Sequence, residues 1–244
     1  MITKEQLEAI RKYDVPTVCN ALECFGVMSR TDGYISGENI KEIVPVACGP
    51  MIGFAATAKY STANQARKGY VNNDAGYYQH VKDMQEPTIA VQQDVDKHMV
   101  SAIWGEVNLH IHKLLGCVGT LTNGGVRDNE AARENNFGYY APCSNPSHGY
   151  YHLVDFGTPV EIFGLTIHPG DIVMADEHGA VIIPPAVVPY LPEACEAMTV
   201  AEYPVLEPAR EALRSGRDVS VAEIIAWKKD MAAKRKEYTP PVID

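Results

Sequence analysis

The sequence is poor in basic residues and has no long apolar run. Its 21 Lys and Arg are outnumbered by 31 Asp and Glu, which gives a formal net charge of -10 at pH 7. This balance argues against a nucleic-acid or anionic-membrane surface, because phosphate groups demand clustered Lys and Arg. We therefore expect neither nucleic acid nor membrane as a partner, and any anionic substrate must meet a local cluster of positive charge.

Targeting segments and paired cysteines are also missing. No stretch approaches the roughly 20 apolar residues that span a bilayer, and the opening MITKEQLEAIRKY is a charged helical pattern without a signal-peptide core. These absences predict a cytoplasmic protein. The cysteines form no Cys-x-x-Cys pair, which favours reduced, mostly buried thiols over disulfides or a zinc site; they are Cys19, Cys24, Cys48, Cys117, Cys143 and Cys195.

The chain has 244 residues, 46% of them hydrophobic, and can bury a substantial core. Without internal repeats or low-complexity linkers, residues 1–244 are expected to form one α/β domain, with 186–244 a helical extension used in assembly. Helix and strand patterns alternate up to residue 122, which predicts βαβ units and a layered α/β domain. Residues 158–185 are β-rich and interrupted by glycine-containing turns, so this part is predicted to form hairpins.

Two segments carry the charged residues most suggestive of chemistry. In GTLTNGGVRDNEAAREN, a strand-like run ends at two glycines and is followed by Arg127 and Asp128. A helix beginning just after Gly105 offers free backbone amides that can receive an anion. Arg127 could bind the same anion, whereas Asp128 and Glu106 suit a divalent cation. The alternative is a turn with a surface ion pair, worth about 0 to 1 kcal/mol.

These motifs resemble a known family. The triplet WGE, the 21 positions from Glu106 to Arg127, GGVRDNEAAREN and PVEIFGLTIHPGDIVMADEHGAVIIP are similar to the regulator of ribonuclease activity A and the 4-hydroxy-4-methyl-2-oxoglutarate (4-carboxy-4-hydroxy-2-oxoadipate) aldolases. The resemblance extends from NALECFG to the helix at 219–235. It implies a layered α/β/β/α sandwich of the swivelling β/β/α, phosphohistidine-domain-like kind, with C-terminal helices.

The resemblance also implies a site. Asp128 would be the direct ligand of Mg²⁺ or Mn²⁺, Arg127 would hold the pyruvyl oxygens, and Glu106 would orient water on the metal. A further acid would come from the C-terminal helix of a neighbouring subunit, and Glu202 is the nearest match. Family members form trimers or paired trimers, so a homo-oligomer is expected. The substrate-binding residues would be Gly105, Glu106, Val107, Asn108 and Arg127.

The implied activity is a metal-dependent lyase that cleaves a 4-hydroxy-2-oxo acid by retro-aldol reaction and releases pyruvate, with oxaloacetate decarboxylation as a side activity. The alternative is a non-catalytic regulator that acts by protein contact. Because the sequence departs from the family pattern, the resemblance does not specify which 4-hydroxy-2-oxo acid is the substrate. Asn123 stands where an acid commonly precedes the two glycines, and Asn108, His110 and His112 replace aliphatic and small residues.

Several other polar residues have a structural interpretation. His110 and His112 point about 200° apart on a helix, so they cannot share one ion, and structural or surface roles are favoured. His178 is interpreted as a polar turn residue. A set of tyrosines could line a pocket or a subunit interface, and the interface is favoured; it comprises Tyr70, Tyr77, Tyr78, Tyr139, Tyr140, Tyr150 and Tyr151.

Overall fold

The computed structural model describes residues 2–243. Each of its first two helices is preceded by a polar residue whose side chain caps the helix. Thr3 forms a capping box with Gln6 at the start of α1 (Lys4–Ile10), and Asp14 accepts a hydrogen bond from the Thr17 amide at the start of α2 (Val15–Phe25). Helix α2 ends at Gly26, whose φ of 63° lies in the left-handed region that glycine adopts without steric cost.

The middle of the chain alternates strands and helices as predicted. The elements are β1 (Tyr34–Ser36), β2 (Lys41–Val44), β3 (Met51–Ser61), α3 (Asp74–Asp83), β4 (Thr88–Asp94), β5 (Ala102–Trp104), α4 (Glu106–Leu114), β6 (Cys117–Thr122), β7 (Gly125–Val126), α5 (Asn129–Glu134) and β8 (Gly138–Ala141). Strands β3, β4, β6 and β8 are parallel neighbours. The predicted βαβ units are therefore confirmed.

The last third changes to antiparallel hairpins and then to helices. Its elements are β9 (His152–Phe156), β10 (Val160–Ile162), β11 (Leu165–Ile167), β12 (Ile172–Asp176), β13 (Gly179–Ile183), α6 (Leu191–Ser215) and α7 (Val221–Arg235). Strands β10 and β11 form one hairpin and β12 and β13 another, which confirms the predicted hairpins. Helix α7 packs against α6, and α6 also packs against α1 and α2.

The strands join in a curled mixed sheet. Within residues 2–243 it has nine strands in the order β1-β13-β12-β3-β4-β6-β8-β2, with β9 paired to β3. Helices α1, α2 and α6 cover one outer face, and α3, α4 and α5 cover another. A third apolar cluster lies inside the curl, between strand residues such as Ile89, Leu121 and Val173. The predicted layered α/β/β/α arrangement with C-terminal helices is confirmed.

One predicted boundary and one functional interpretation are wrong. The run WGEVNLHIHKLLG has a helical pattern that predicts a helix from its first residue, but Trp104 lies in strand β5 and α4 begins at Glu106. Tyr77, Tyr139 and Tyr140, interpreted as interface residues, are fully buried within the chain. Rings of this size bury large apolar areas, and two of their hydroxyl groups donate to partners inside the chain: Tyr77 to His112 and Tyr140 to Glu42. Among the described residues, no helix is long and apolar enough to cross a bilayer.

Candidate active site at the start of helix α4

The two charged segments meet through a small parallel pair of strands. Ala102 of β5 pairs with Gly125 of β7, and Trp104 pairs with Val126. The Arg127 amide then donates to the Trp104 carbonyl at 2.9 Å. Gly105 and the Arg127–Asp128 pair are thereby held side by side, as the sequence predicted, near the carboxyl ends of the parallel strands where α/β proteins commonly bind ligands.

Asp128 has a strained backbone and bridges the two segments. Its φ and ψ of 58° and 44° lie in the left-handed region, which aspartate tolerates better than most residues. Its Oδ2 accepts from the Glu106 amide at 2.9 Å and lies 3.6 Å from Arg127 Nε. Asp128 therefore caps α4 from outside that helix, while its Oδ1 has no hydrogen-bond partner in residues 2–243.

A cleft of about 340 Å³ opens over this corner. The Arg127 side chain is partly exposed there, and its Nη1 donates to the Pro146 carbonyl at 3.2 Å. The Val107 and Asn108 amides at the start of α4 have no backbone or side-chain acceptor in the described chain. The lining residues are Ala102, Ile103, Trp104, Gly105, Glu106, Val107, Asn108, Arg127, Asp128, His148 and Tyr151.

Every predicted substrate-binding residue therefore lines one cleft. Sequence reasoning missed His148 as a wall residue, because it lies in an irregular segment that approaches α4 only through tertiary folding. Tyr151 belongs to the tyrosine set for which a pocket was the second interpretation, and for this residue that interpretation fits the structure. Burial raises the pKa of the Tyr151 phenol, so it lines the cleft as a neutral hydroxyl.

A buried chain of hydrogen bonds holds Asn108, one of the residues that line the cleft. Asn108 Nδ2 donates to the Ile103 carbonyl at 3.0 Å and to the Tyr151 hydroxyl at 3.3 Å. His112 Nδ1 lies 2.7 Å from the Asn108 carbonyl, and a carbonyl can only accept, so Nδ1 carries the proton. His112 Nε2 then accepts from the Tyr77 hydroxyl at 2.8 Å, which in turn accepts from Gln92 Nε2 at 2.8 Å.

The structure agrees with the interpretation of His110 and His112 as structural or surface residues and of His178 as a turn residue. His112 is almost fully buried, and this burial lowers its pKa to about 4, so the ring is neutral and structural. His110 is exposed and its Nδ1 lies 2.9 Å from the Glu106 carbonyl. His178 lies in the turn between β12 and β13, where its amide donates to Asp176 Oδ1 at 2.8 Å. His110 and His112 do not face one ion.

Asn123 also has a structural explanation. Its Oδ1 accepts from the Asp94 amide at 2.7 Å, and its Nδ2 donates to the Asp94 carbonyl at 3.0 Å. An ionised acid at position 123 could accept the first bond but could not donate the second. The departure from the family pattern therefore ties the end of β6 to the end of β4.

Glu202 lies apart from this cleft within one chain. It is in α6, which packs against α1, α2 and α7, and its Oε1 accepts from Arg235 Nη2 at 3.2 Å. The described chain therefore does not bring Glu202 to Asp128. Its role in a neighbouring subunit stays a prediction.

The residues present fit a hard divalent cation held mainly by water and substrate. Among residues 2–243, no group of three or more His, Cys, Asp or Glu is placed to hold an ion. Asp128 and Glu106 nevertheless offer carboxylate oxygens at the cleft, and Mg²⁺ commonly uses only one or two protein carboxylates. The buried Tyr139 hydroxyl lies under the same charges: burial raises its pKa, and Asp128 and Glu106 raise it further.

A family model described as RraA-like, Aldolase/RraA, matches residues 15–182, which include the whole of the cleft. The chain belongs to the RraA-like family. The RraA-like family includes both lyases and ribonuclease regulators.

Individual relatives are distant. Protein DlpA of Legionella pneumophila strain Philadelphia 1 is 28% identical over 171 residues, 68% of this chain and 26% of DlpA, so the chain spans about a quarter of that relative. An uncharacterized protein from Pseudomonas syringae pv. tomato has a TM-score of 0.66 at 20% identity, covering 97% of this chain and 95% of that one. Streptomyces coelicolor RraAS2, an unusual member of the RNase ES inhibitor RraA family, has a TM-score of 0.62 at 18% identity, covering 80% and 92%.

Proposed function

We propose that this RraA-like protein is a divalent-metal-dependent lyase that cleaves a 4-hydroxy-2-oxo acid by retro-aldol reaction and releases pyruvate. The observation that carries the proposal is the left-handed Asp128, whose carboxylate is fixed between the Glu106 amide and Arg127 at the wall of the cleft. Strained backbone of this kind persists where the surroundings enforce it, and it clusters at functional sites.

The substrate carboxylate would bind between Arg127 and the start of α4. The guanidinium offers a fork of donors that matches a carboxylate. The open amides of Val107 and Asn108 point from the positive end of the helix dipole. Together these groups would orient the 2-oxo acid so that its C2 oxygen faces Asp128.

Mg²⁺ or Mn²⁺, when bound by Asp128, would supply Lewis-acid stabilisation of the negative charge that develops on the C2 oxygen. Arg127 would stabilise the same charge from the protein side. Glu106 is exposed in the first turn of α4 and would accept the C4 hydroxyl proton through a water molecule. As the C3–C4 bond breaks, its electrons form the enolate of pyruvate, and C3 then takes up a proton. Oxaloacetate decarboxylation passes through the same enolate.

The decisive experiment measures pyruvate release from 4-hydroxy-4-methyl-2-oxoglutarate by the full chain. Activity should vanish in EDTA and return with Mg²⁺ or Mn²⁺, because Asp128 is the one direct protein ligand proposed and the metal should exchange readily. Full activity in excess chelator would contradict the metal mechanism.

Arg127→Gln is expected to lower kcat by two or more orders of magnitude, because losing a group that stabilises the enolate should cost about 3 to 4 kcal/mol. Arg133→Gln is the matched control. It removes an exposed arginine of α5 that does not line the cleft, and it should leave kcat unchanged. A kcat for Arg127→Gln within a few-fold of wild type would place the anion site elsewhere.

The second candidate is regulation by protein contact. RraAS2 is described as a member of an RNase ES inhibitor family, and the net charge of -10 would suit masking of a basic surface. Inhibition of a purified RNase E-type enzyme by this protein, retained in Arg127→Gln, together with no pyruvate release from any 4-hydroxy-2-oxo acid, would favour this function over the lyase.

A further inference from the structure

A second, larger cleft lies beside the start of β9. Its volume is about 660 Å³, within the range of small-molecule sites. The loop between β3 and α3 forms one wall with Arg67, Lys68 and Tyr70, and β9 forms the other with His152 and Val154. We call it the basic cleft. It shares no lining residue with the cleft at Arg127 and Asp128.

The two positive side chains of the basic cleft are not paired with a carboxylate in the described residues. Arg67 and Lys68 are exposed, and neither forms a salt bridge with any residue from 2 to 243. No Asp or Glu belongs to its lining within that span. In a chain with a net charge of -10, two adjacent free cations in a concave surface are a local exception that favours anion binding.

The carboxylate of Asp96 accepts hydrogen bonds from residues at the start of the loop. It accepts from the wall residue Ser61 through Oγ at 3.0 Å. It also accepts from the amides of Thr62 at 2.6 Å and Ala63 at 2.8 Å. These bonds hold the end of β3, where the loop leaves the sheet, and they leave Asp96 outside the lining of the basic cleft.

The aromatic wall is held by its own hydrogen bonds. The Tyr70 hydroxyl donates to the Leu153 carbonyl at 2.9 Å, and the His152 Nδ1–H donates to the Tyr150 carbonyl at 2.8 Å. The two rings meet edge to face with centroids 5.4 Å apart. Tyr70 therefore offers a positioned flat surface next to two free cations.

We propose that the basic cleft binds a small organic anion. Arg67 and Lys68 hold its carboxylate or phosphate group, and its flat apolar part packs against Tyr70 and Val154. Carboxylates and phosphates share the charge and acceptor oxygens that these side chains recognise. The site is separate from the proposed lyase centre and does not depend on that activity.

Calorimetric titration of the full chain at low ionic strength tests this assignment with four probes. Benzoate and phenyl phosphate carry both a flat body and an anionic group, inorganic phosphate carries the charge alone, and benzyl alcohol carries the body alone. Saturable binding of benzoate, phenyl phosphate or both is expected, at least tenfold tighter than either single-feature probe, and preference between the two identifies the head group. Absence of saturable binding by both flat anions would overturn the proposal.

Paired variants locate the binding. Arg67→Gln/Lys68→Gln should weaken binding at least tenfold, whereas Lys228→Gln/Lys229→Gln, which removes two exposed charges from α7, should not. Tyr70→Ala should weaken the binding of benzoate and phenyl phosphate, whereas Tyr70→Phe, which keeps the ring, should bind them as wild type does. Equal loss in both double variants would indicate a general charge effect, and loss in Arg127→Gln alone would place the ligand in the other cleft. Either result would contradict the assignment.

Discussion

At the scale of single residues, Asp128 has one role that the structure shows and a second that we propose. Its carboxylate caps α4 by accepting from the Glu106 amide, a structural role that needs only an oxygen acceptor. Metal binding needs the negative charge and a free oxygen. The ion pair with Arg127 contributes little stability, because both side chains are more than a third exposed.

Substitutions at Asp128 should separate these roles. Asp128→Asn keeps an acceptor oxygen and tolerates the left-handed backbone, so its free energy of unfolding should stay near that of wild type while Mg²⁺-dependent activity is lost. Asp128→Ala should lose activity and also about 1 to 2 kcal/mol of stability, because the cap disappears. Urea unfolding and pyruvate release measure the two effects. An unstable Asp128→Asn, or one with normal metal dependence, would contradict this division.

The buried His112, which bonds the Asn108 carbonyl, should make the stability of the protein depend on pH. Its pKa is about 4 in the folded protein against 6.5 for the free side chain, because burial disfavours the charged ring. Between these values the unfolded chain binds more protons, so stability rises with pH and is lost as pH falls from about 6.5 towards 4. The shift in this one pKa corresponds to a change on the order of 3 kcal/mol in the free energy of unfolding.

Comparison of wild type with His112→Gln isolates this contribution. The stability difference between them should change by on the order of 3 kcal/mol between pH 7.5 and pH 4, measured by urea unfolding at several pH values. Tyr77→Phe is the control: it removes the hydroxyl that bonds Nε2 but leaves the ring buried, so the pH dependence should remain. A pH-independent difference for His112→Gln would show that the ring is not buried as a neutral group.

At the scale of elements, the sequence predicted the long segments and the site loop but not the short connections. Strands β3, β4 and β6 are apolar runs, and their period and turn residues are local signals. Strands β5 and β7 have three and two residues, and they exist only because Ala102 meets Gly125 across the fold. No local pattern reports a pairing of that kind. The interface prediction failed for Tyr77, Tyr139 and Tyr140 for a similar reason, since no local pattern separates a buried tyrosine from an interface tyrosine.

The site was predictable to the extent that its residues flank glycines and helix starts. Gly105, Glu106, Arg127 and Asp128 follow from such signals and from the family resemblance. The hydrogen-bonded chain behind Asn108 could not be predicted in this way. It runs through Gln92, Tyr77 and His112, which lie in β4, α3 and α4 and meet only in the folded chain.

Gly105 is where element packing and chemistry meet, since α4 can approach the Arg127–Asp128 loop closely only without a side chain. A Cβ there would lie 2.7 Å from Asp128 Oδ2 and 3.0 Å from Arg127 Nε. Its backbone is extended, so alanine meets a steric conflict but no conformational one. Gly105→Ala should therefore displace both side chains and lower kcat at least tenfold with little change in stability.

Gly26→Ala provides the opposite signature. A Cβ at Gly26 would meet no heavy atom within 4 Å, but the φ of this residue is positive, so the substitution should cost about 1 kcal/mol of stability and leave activity intact. Thermal unfolding and kcat distinguish the two variants. Normal kcat in Gly105→Ala would show that Asp128 and Arg127 need not remain where the structure places them.

At the scale of the whole molecule, the C-terminal helices have more apolar surface than one chain covers. Helix α7 buries none of its residues, and Val221, Ile224 and Ile225 are exposed. Both helices lie beyond the family match at 15–182, yet the likeness to the Pseudomonas structure covers 97% of the chain and so extends into them. Unpaired apolar helix surface of this kind suits packing against another copy.

We therefore expect the active unit to be a ring whose site is completed across a boundary. The acids that line the cleft are Glu106 and Asp128, and Glu202 of α6 is not among the lining residues of its own chain. A cyclic, heterologous interface would bring that helix to a neighbour's Asp128. Glu202→Gln is the appropriate variant, because it keeps an acceptor for Arg235 while removing the charge.

Co-assembly tests the shared site directly. Asp128→Asn and Glu202→Gln should each be inactive alone, and mixed oligomers should regain partial activity because some boundaries then join an intact Asp128 to an intact Glu202. Glu207→Gln, which removes another exposed acid of α6, is the control and should stay active in homogeneous oligomers. A fully active monomer in sedimentation experiments, an active Glu202→Gln, or no recovery in verified mixed oligomers would each exclude a shared site built with Glu202.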